Sequence, residues 1–327
     1  MDWFERITGF KELGYDDTRA ALTVVDGKLR SIHSERACFV GELETPSLSE
    51  LRERTRNIVA AGGGDVRVSS LQGDVRRLHT QPLNNSALFQ VASQFNLLEM
   101  VGPDVTPEAG VTGYQQDRTQ GPACAMAAGA AAIYRNYLMP VAGGTGQTST
   151  RQVDCLADLG QALAANGTPL WQMRNGYALC SQEGLARIDA LISSSSAQDI
   201  DVLRGLLRIG VHWSVEVTES ATPGQRVTQA FCSALPVSYS TVPPAHWERF
   251  ATLVLEAAYE ATLLAALLNR ERTGCPTVFL TSLGGGAFGN EPAWIDSAMA
   301  RAFETVKQCE LDVRIVSFGG AAQQKKS

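Results

Sequence analysis

The chain has 327 residues, 44% of them hydrophobic and 19% charged, a balance that excludes a disordered chain and fits one large α/β domain with a small appendage. Its 28 basic against 34 acidic residues leave a net charge of −6, and no Lys/Arg cluster is dense enough for a duplex-binding stripe, so nucleic acid is not the expected partner. Acids (Asp2, Glu5) stand where a signal peptide carries bases, and Glu256 and Glu260 interrupt the longest apolar stretch, Leu253 to Leu268, so neither a leader nor a membrane span is expected. Seven cysteines lie scattered without a CxxC pair. Reduced thiols in a cytoplasmic protein suit them, with export by a route lacking a signal peptide left open.

In chain order, Ala20 to Val25 and Ala37 to Val40 are short apolar runs separated by the turn Asp26-Gly27, and both predict strands. Ser47 with Glu50 offers the cap of a helix reaching about Val59, which Ala61-Gly62-Gly63-Gly64 ends. That cluster divides a strand-rich N-terminal extension, 1–64, from a domain over 65–320; a polar tail, 321–327, follows. Within the domain, Val66 to Val68 and Leu88 to Ala92 predict strands, and alanine-rich Pro122 to Tyr137 predicts a buried helix. Residues 151–164 look helical, and Ser193 to Ser196 reads as a flexible polar tract. Strands are expected at Val211 to Val217 and Val227 to Ala234. A long amphipathic helix spans Trp247 to Asn269, with apolar residues at helical spacing. Strand Thr277 to Thr281, a glycine loop, helix Ala293 to Val306 and strand Leu311 to Phe318 complete the chain. Such alternation predicts a mixed sheet covered on both faces, a three-layer α/β/α architecture.

The loop Thr281-Ser282-Leu283-Gly284-Gly285-Gly286-Ala287-Phe288-Gly289-Asn290 carries the strongest chemistry. It leaves an apolar strand and opens a helix, so its backbone N–H groups can face an anion, a diphosphate best of all. A tight turn without a ligand is the plain alternative. It is no P-loop, because Asn290-Glu291 stands where Lys-Ser or Lys-Thr belongs. Gly284, Gly286 and Gly289 satisfy G-x-G-x-x-G, but the next strand ends Val316-Ser317-Phe318-Gly319 without the ribose-binding acid of a dinucleotide fold.

Strand Val278 to Thr281, the small-residue turn and Ala287-Phe288-Gly289 resemble the second phosphate loop of macrodomains, the ADP-ribose-binding α/β/α family. Upstream, Gln72-Gly73-Asp74-Val75 resembles that family's "GDI" signature, whose Asp recognises the adenine amino group. Phe89 to Asn96 resembles its "IVNAAN" strand, and Gly121-Pro122-Ala123 stands where its first glycine loop enters a helix. The resemblance runs in order from about 70 to 320. Asp117-Arg118-Thr119-Gln120-Gly121-Pro122 replaces the usual glycine run, a pattern similar to a divergent branch containing a bacterial-effector macrodomain that removes ADP-ribose from arginine. Poly(ADP-ribose) glycohydrolases are distantly similar, but their paired glutamates after the glycines are absent.

The resemblance implies a hydrolase that removes mono-ADP-ribose from modified protein, arginine the favoured acceptor, with ADP-ribose as ligand and product and neither cofactor nor metal. Asp74 and Val75 would meet adenine. Thr119, Gln120 and Gly121 would orient the distal ribose beside Asn96, and Ser282, Gly284, Gly285, Gly286, Ala287, Phe288, Gly289 and Asn290 would cradle the diphosphate. Asp117 is the expected catalytic acid, positioning water or the guanidinium. A second carboxylate is needed, with Glu108 and Glu99 the candidates. Tyr239 follows a strand that leads toward the same region. His33, His79, His212 and His246 have no metal spacing. Rival readings are an ADP-ribose reader without turnover, an NAD-dependent oxidoreductase built on the literal G-x-G-x-x-G, and a structural protein whose loop is empty.

Overall fold

The computed structural model describes residues 1–164 and 167–318; the tail expected at 321–327 lies outside them. The chain opens with helices α1 (Trp3–Thr8) and α2 (Tyr15–Ala20) and an antiparallel sheet of β1 (Leu22–Val25), β2 (Lys28–Ser31) and β3 (Ser34–Phe39). Next come β4 (Glu42–Glu44) and α3 (Leu48–Ala61). The Ser47 hydroxyl accepts from the Glu50 N–H at 3.2 Å and the Glu50 carboxylate accepts from the Ser47 N–H at 2.7 Å, the capping box foreseen for this helix.

The domain continues through β5 (Val66–Gln72), α4 (Val75–Thr80), β6 (Leu88–Ala92), α5 (Gln120–Ala127) and α6 (Gly129–Tyr137). A small hairpin, β7 (Pro140–Val141) and β8 (Gly144–Thr145), precedes α7 (Ala157–Leu163) and a second hairpin, β9 (Trp171–Arg174) and β10 (Tyr177–Cys180). Then follow α8 (Gln182–Ser194), α9 (Ala197–Gly205), β11 (Gly210–Glu216), β12 (Arg226–Cys232), α10 (Glu248–Thr273), β13 (Thr277–Thr281), α11 (Pro292–Val306) and β14 (Leu311–Ser317).

Seven strands form the central sheet in the order β4-β11-β12-β6-β13-β14-β5. The five from β12 to β5 are parallel, and β11 runs antiparallel to both its neighbours, which makes the sheet mixed. Helix α10 packs with α3, α8, α9 and α11 in one outer layer; α4, α5 and α6 associate in the other, with α1 against α6. The three-layer α/β/α expectation therefore holds. Strands β6, β12 and β13 are almost continuously buried, as central parallel strands are, and Phe89 stacks on Phe279 across two of them with centroids 4.4 Å apart.

Helix α10 is long and apolar enough to cross a membrane by composition, yet it is packed inside the protein. The Glu260 carboxylate that breaks its apolar run is buried and paired, with Arg52 Nε at 2.6 Å and with Arg301.

Three local expectations differ from the structure. Segment 1–64 is divided: residues to Phe39 build their own small sheet, whereas β4 pairs with β11 and α3 packs on α10. The alanine-rich helix breaks at Ala128 (φ −113°, ψ 53°), where Thr218 Oγ1 accepts from the Gly129 N–H at 2.9 Å and donates to the Ala127 carbonyl at 3.3 Å. The serine tract is a junction between helices, with Ser196 and Asp199 forming the capping box of α9.

Candidate active site

Strands β6 and β13 pair only at Leu88–Val278 and Phe89–Phe279, then splay apart. The side chain of Gln120, in the first turn of α5, fills the gap: its Nε2 donates to the Gln90 carbonyl at 2.7 Å and its Oε1 accepts from the Ala92 N–H at 2.8 Å. On the other side, the Thr281 N–H donates to Gln90 Oε1 at 3.3 Å. Two glutamine amides thus satisfy the backbone groups that the parting strands release. The chain leaves β6 toward the layer of α5 and leaves β13 toward the layer of α11, so the gap is a topological switch point, where open α/β sheets form their crevices. A cavity of about 300 Å³ lies there, bordered by Glu99, Asp117 to Gly121 and the glycine loop.

Two glycines shape that loop. Gly284 and Gly289 adopt φ of +73° and +69°. A Cβ would lie 2.4 Å from the Ala234 Cβ at the first and 1.9 Å from the Ser238 Oγ at the second. From behind, Asn290 Nδ2 donates to the Leu235 carbonyl at 2.8 Å, and Tyr259 Oη accepts from the Leu283 N–H at 2.8 Å. Among the described residues, the consecutive N–H groups of Gly286, Ala287 and Phe288 have no acceptor in the protein, and all three residues line the cavity. A run of free N–H groups held rigidly from behind is a ready anion cradle.

Across the cavity stand two carboxylates of unlike setting. Glu99 is 3% exposed, and buried Arg135 donates to it from Nη2 at 3.2 Å. Burial pushes the Glu99 carboxyl up to about 7, against the opposing pull of Arg135 and Tyr114. Gly121 allows this arrangement, because a Cβ there would sit 1.9 Å from the Ala92 carbonyl oxygen and 3.1 Å from Glu99 Cγ. Asp117 is half-buried and accepts from the Thr119 N–H at 2.7 Å through Oδ1. Tyr177, Tyr239 and Phe288 meet at centroid distances of 5.1 to 5.6 Å and give the cavity an aromatic side.

The N-terminal module holds the segment that leads to Asp117. Glu12 accepts from the N–H groups of Val111 and Thr112 and from the Tyr137 hydroxyl, each at 2.8 Å. Trp3 stacks on Tyr114 at 6.5 Å, and the Tyr114 oxygen accepts from the Glu99 N–H at 3.2 Å.

Of the residues singled out from sequence, Asp117, Thr119, Gln120, Gly121, Ser282, Gly284, Gly286, Ala287 and Phe288 border the one cavity. Gly285, Gly289 and Asn290 build the loop without lining it. Asp74 caps α4, accepting from the Arg76 N–H at 2.9 Å, and Val75 is buried in the first turn of that helix; neither borders the cavity, although Phe318 at the end of nearby β14 does. Asn96 lies fully buried behind the wall with its amide taken on both sides, by Gln152 at 2.8 Å and by the Leu98 N–H at 3.1 Å. Glu108 is turned to Ser149, whose N–H and hydroxyl donate to it at 2.7 and 2.9 Å. Burial raises its carboxyl, but these hydrogen bonds prevail and hold it below the usual range. Tyr177 was not foreseen, although Asn175-Gly176 is a hairpin signal and adopts φ of 47° and 80°. Among the described residues, no three His, Cys, Asp or Glu side chains come together as a metal site.

No family model matches the chain, and no curated protein matches it. Among solved structures, it is similar to a point mutant of the poly(ADP-ribose) glycohydrolase of Deinococcus radiodurans in complex with ADP-ribose. The TM-score is 0.47 and the identity 11%, over 86% of this chain and 89% of that one. The apo form of the same enzyme gives 0.44 and 13%, over 86% and 87%. The glycohydrolase of Thermomonospora curvata gives 0.39 and 12%, over 86% and 81%.

Proposed function

We propose that this chain is a hydrolase that removes ADP-ribose from modified protein, with arginine-linked mono-ADP-ribose its preferred substrate. One observation carries the proposal: free N–H groups at Gly286, Ala287 and Phe288 face, across a single crevice, the two carboxylates Glu99 and Asp117. The cradle suits a diphosphate, and the carboxylates suit a glycosidic carbon that develops positive charge. The macrodomain-like motif at Val278 to Gly289 points to the same ligand. A wider cleft of about 690 Å³ continues from Glu99 and Asp117 past Tyr114 and gives room for the modified side chain. Asp117, at the junction of cavity and cleft, favours a cationic acceptor. The missing glutamate pair of the polymer-cleaving enzymes favours a single ADP-ribose unit.

Hydrolysis breaks the bond from C1″ to the guanidine nitrogen and forms a bond from C1″ to water oxygen. Glu99, protonated up to about pH 7, gives its proton to the leaving nitrogen. Asp117 takes one from the attacking water, and exchange with solvent returns both groups to their starting states. Asp117 Oδ1 is held by the Thr119 N–H, which aims the carboxylate before substrate arrives. A reader would use the same cradle, but binding alone needs no buried carboxyl titrating near neutrality, and that favours turnover. All seven cysteines are free thiols, which suits a reducing, cytoplasmic setting.

Pure protein is to be incubated with arginine-linked and, separately, glutamate-linked ADP-ribosylated substrate, and released ADP-ribose quantified by mass spectrometry. Release from the arginine substrate, lost in Asp117→Ala, is expected. Release from the glutamate substrate alone would sink the arginine preference, and no release from either would sink the hydrolase.

A further inference from the structure

We propose that the cleft between the N-terminal module and α4 is a second binding site, for a small ligand that carries a phosphate or diphosphate group. The cleft encloses about 490 Å³, within the size range of small-molecule sites. None of its lining residues is shared with the cavity at β6 and β13, so the inference stands apart from the hydrolase proposal.

Four guanidinium groups line it: Arg6 and Arg36 from the N-terminal module, Arg76 and Arg77 from α4. Glu219 is the only acid among them. It pairs with Arg76 and, at 3.4 Å, with Arg6. Arg36 donates to carbonyl groups, the Thr218 oxygen at 2.9 Å and the Arg6 oxygen at 3.2 Å, and among the described residues it makes no ion pair. Those bonds orient its guanidinium without neutralising it. Among the described residues, the Arg77 side chain has no hydrogen-bond or ion-pair partner.

Four cations against one anion is a local excess of positive charge in a chain whose net charge is −6. Holding like charges around one hollow is unfavourable unless an anion enters it. The planar fork of a guanidinium matches two phosphate oxygens at once, which a lysine ammonium does not. Three separate stretches of chain deliver these arginines, over a floor formed by the apolar side chains Trp3, Ile7 and Met126, all almost fully buried. A doubly charged oxyanion can therefore take donors from Arg36 and Arg77 while Glu219 keeps its hold on Arg76.

The test uses inorganic pyrophosphate as probe and the full chain labelled with ¹⁵N-tryptophan. Trp3 is the only tryptophan that lines this cleft, and none lines the cavity at β6 and β13. Because Trp3 also stacks on Tyr114 beside Glu99, the comparison with Arg77→Gln, a residue that does not line that cavity, assigns the movement to this cleft. Saturable movement of that resonance is expected in the wild type, with affinity at least about tenfold weaker in Arg77→Gln, the loss of one charge-assisted contact. Removing a side chain without an internal partner leaves the fold intact, which unmoved resonances of Trp171, Trp213, Trp247 and Trp294 verify. An unmoved Trp3 resonance in the wild type, or equal affinity in Arg77→Gln, would overturn the proposal.

Discussion

Glu99 and Asp117 both border one cavity, and their surroundings set them apart. Glu99 is buried and pushed up to about 7; Asp117 is half-open and tied by one oxygen to the start of α5. If the acid form of Glu99 is the working one, turnover falls as pH rises through about 7. Glu99→Gln keeps the shape but loses that limb, so a kcat profile of both proteins checks the assignment. Stability must carry the same signature. A carboxyl raised from 4.5 to about 7 binds its proton more tightly in the folded chain than in the unfolded one. Its stabilising contribution is complete below the unfolded value and is lost as pH rises through the folded one. The Tm of the wild type should therefore decline across that window relative to Glu99→Gln, and parallel curves would contradict the raised carboxyl. For Asp117→Ala, turnover should drop by about a hundredfold or more, the usual worth of a positioned proton acceptor, while calorimetric titration shows ADP-ribose affinity almost unchanged.

The glycine loop and the N-terminal module act as elements, and each fails in its own way. Gly289 combines a φ of +69° with a Cβ position 1.9 Å from Ser238 Oγ, so Gly289→Ala must push the loop off the segment that supports it. ADP-ribose affinity should fall by about tenfold or more, the loss of at least one charge-assisted hydrogen bond. Gly286 has open space at its Cβ, and Gly286→Ala should leave affinity nearly unchanged in the same titration. Equal losses at both positions would show that the loop does not need its shape. Glu12 ties residues 111 and 112 to α6 through its hydrogen bonds to Val111, Thr112 and Tyr137. Glu12→Ala should lower kcat about tenfold through misplacement of Asp117, with KM little changed. A rise in KM alone would place Glu12 in substrate binding instead.

At the scale of the whole molecule, the layer order was legible because β6, β12 and β13 are buried on both faces and read as largely apolar runs that alternate with helical stretches. The strand Thr277 to Thr281 stands in the structure with the bounds read from sequence. The glycine loop was legible too, since three glycines between a strand and a helix mark a tight turn whose backbone N–H groups can stay free. Glu99 was harder to single out. Its burial depends on Arg135, which lies 36 residues away on another element, and in sequence it resembles any solvated glutamate. The wedge formed by Gln120 was equally hidden, because it answers a gap that exists only once β6 and β13 have paired and parted. The pairing of β4 with β11 joins distant stretches of chain, so nothing local in Glu42 to Glu44 announces it. Local signals marked the elements; long-range contacts decided which carboxylates meet.

A crystal structure of the chain with ADP-ribose tests the central claim most directly. The diphosphate is predicted on the N–H groups of Gly286, Ala287 and Phe288, with C1″ of the distal ribose between Glu99 and Asp117. A diphosphate bound elsewhere, or a distal ribose turned away from both carboxylates, would contradict it.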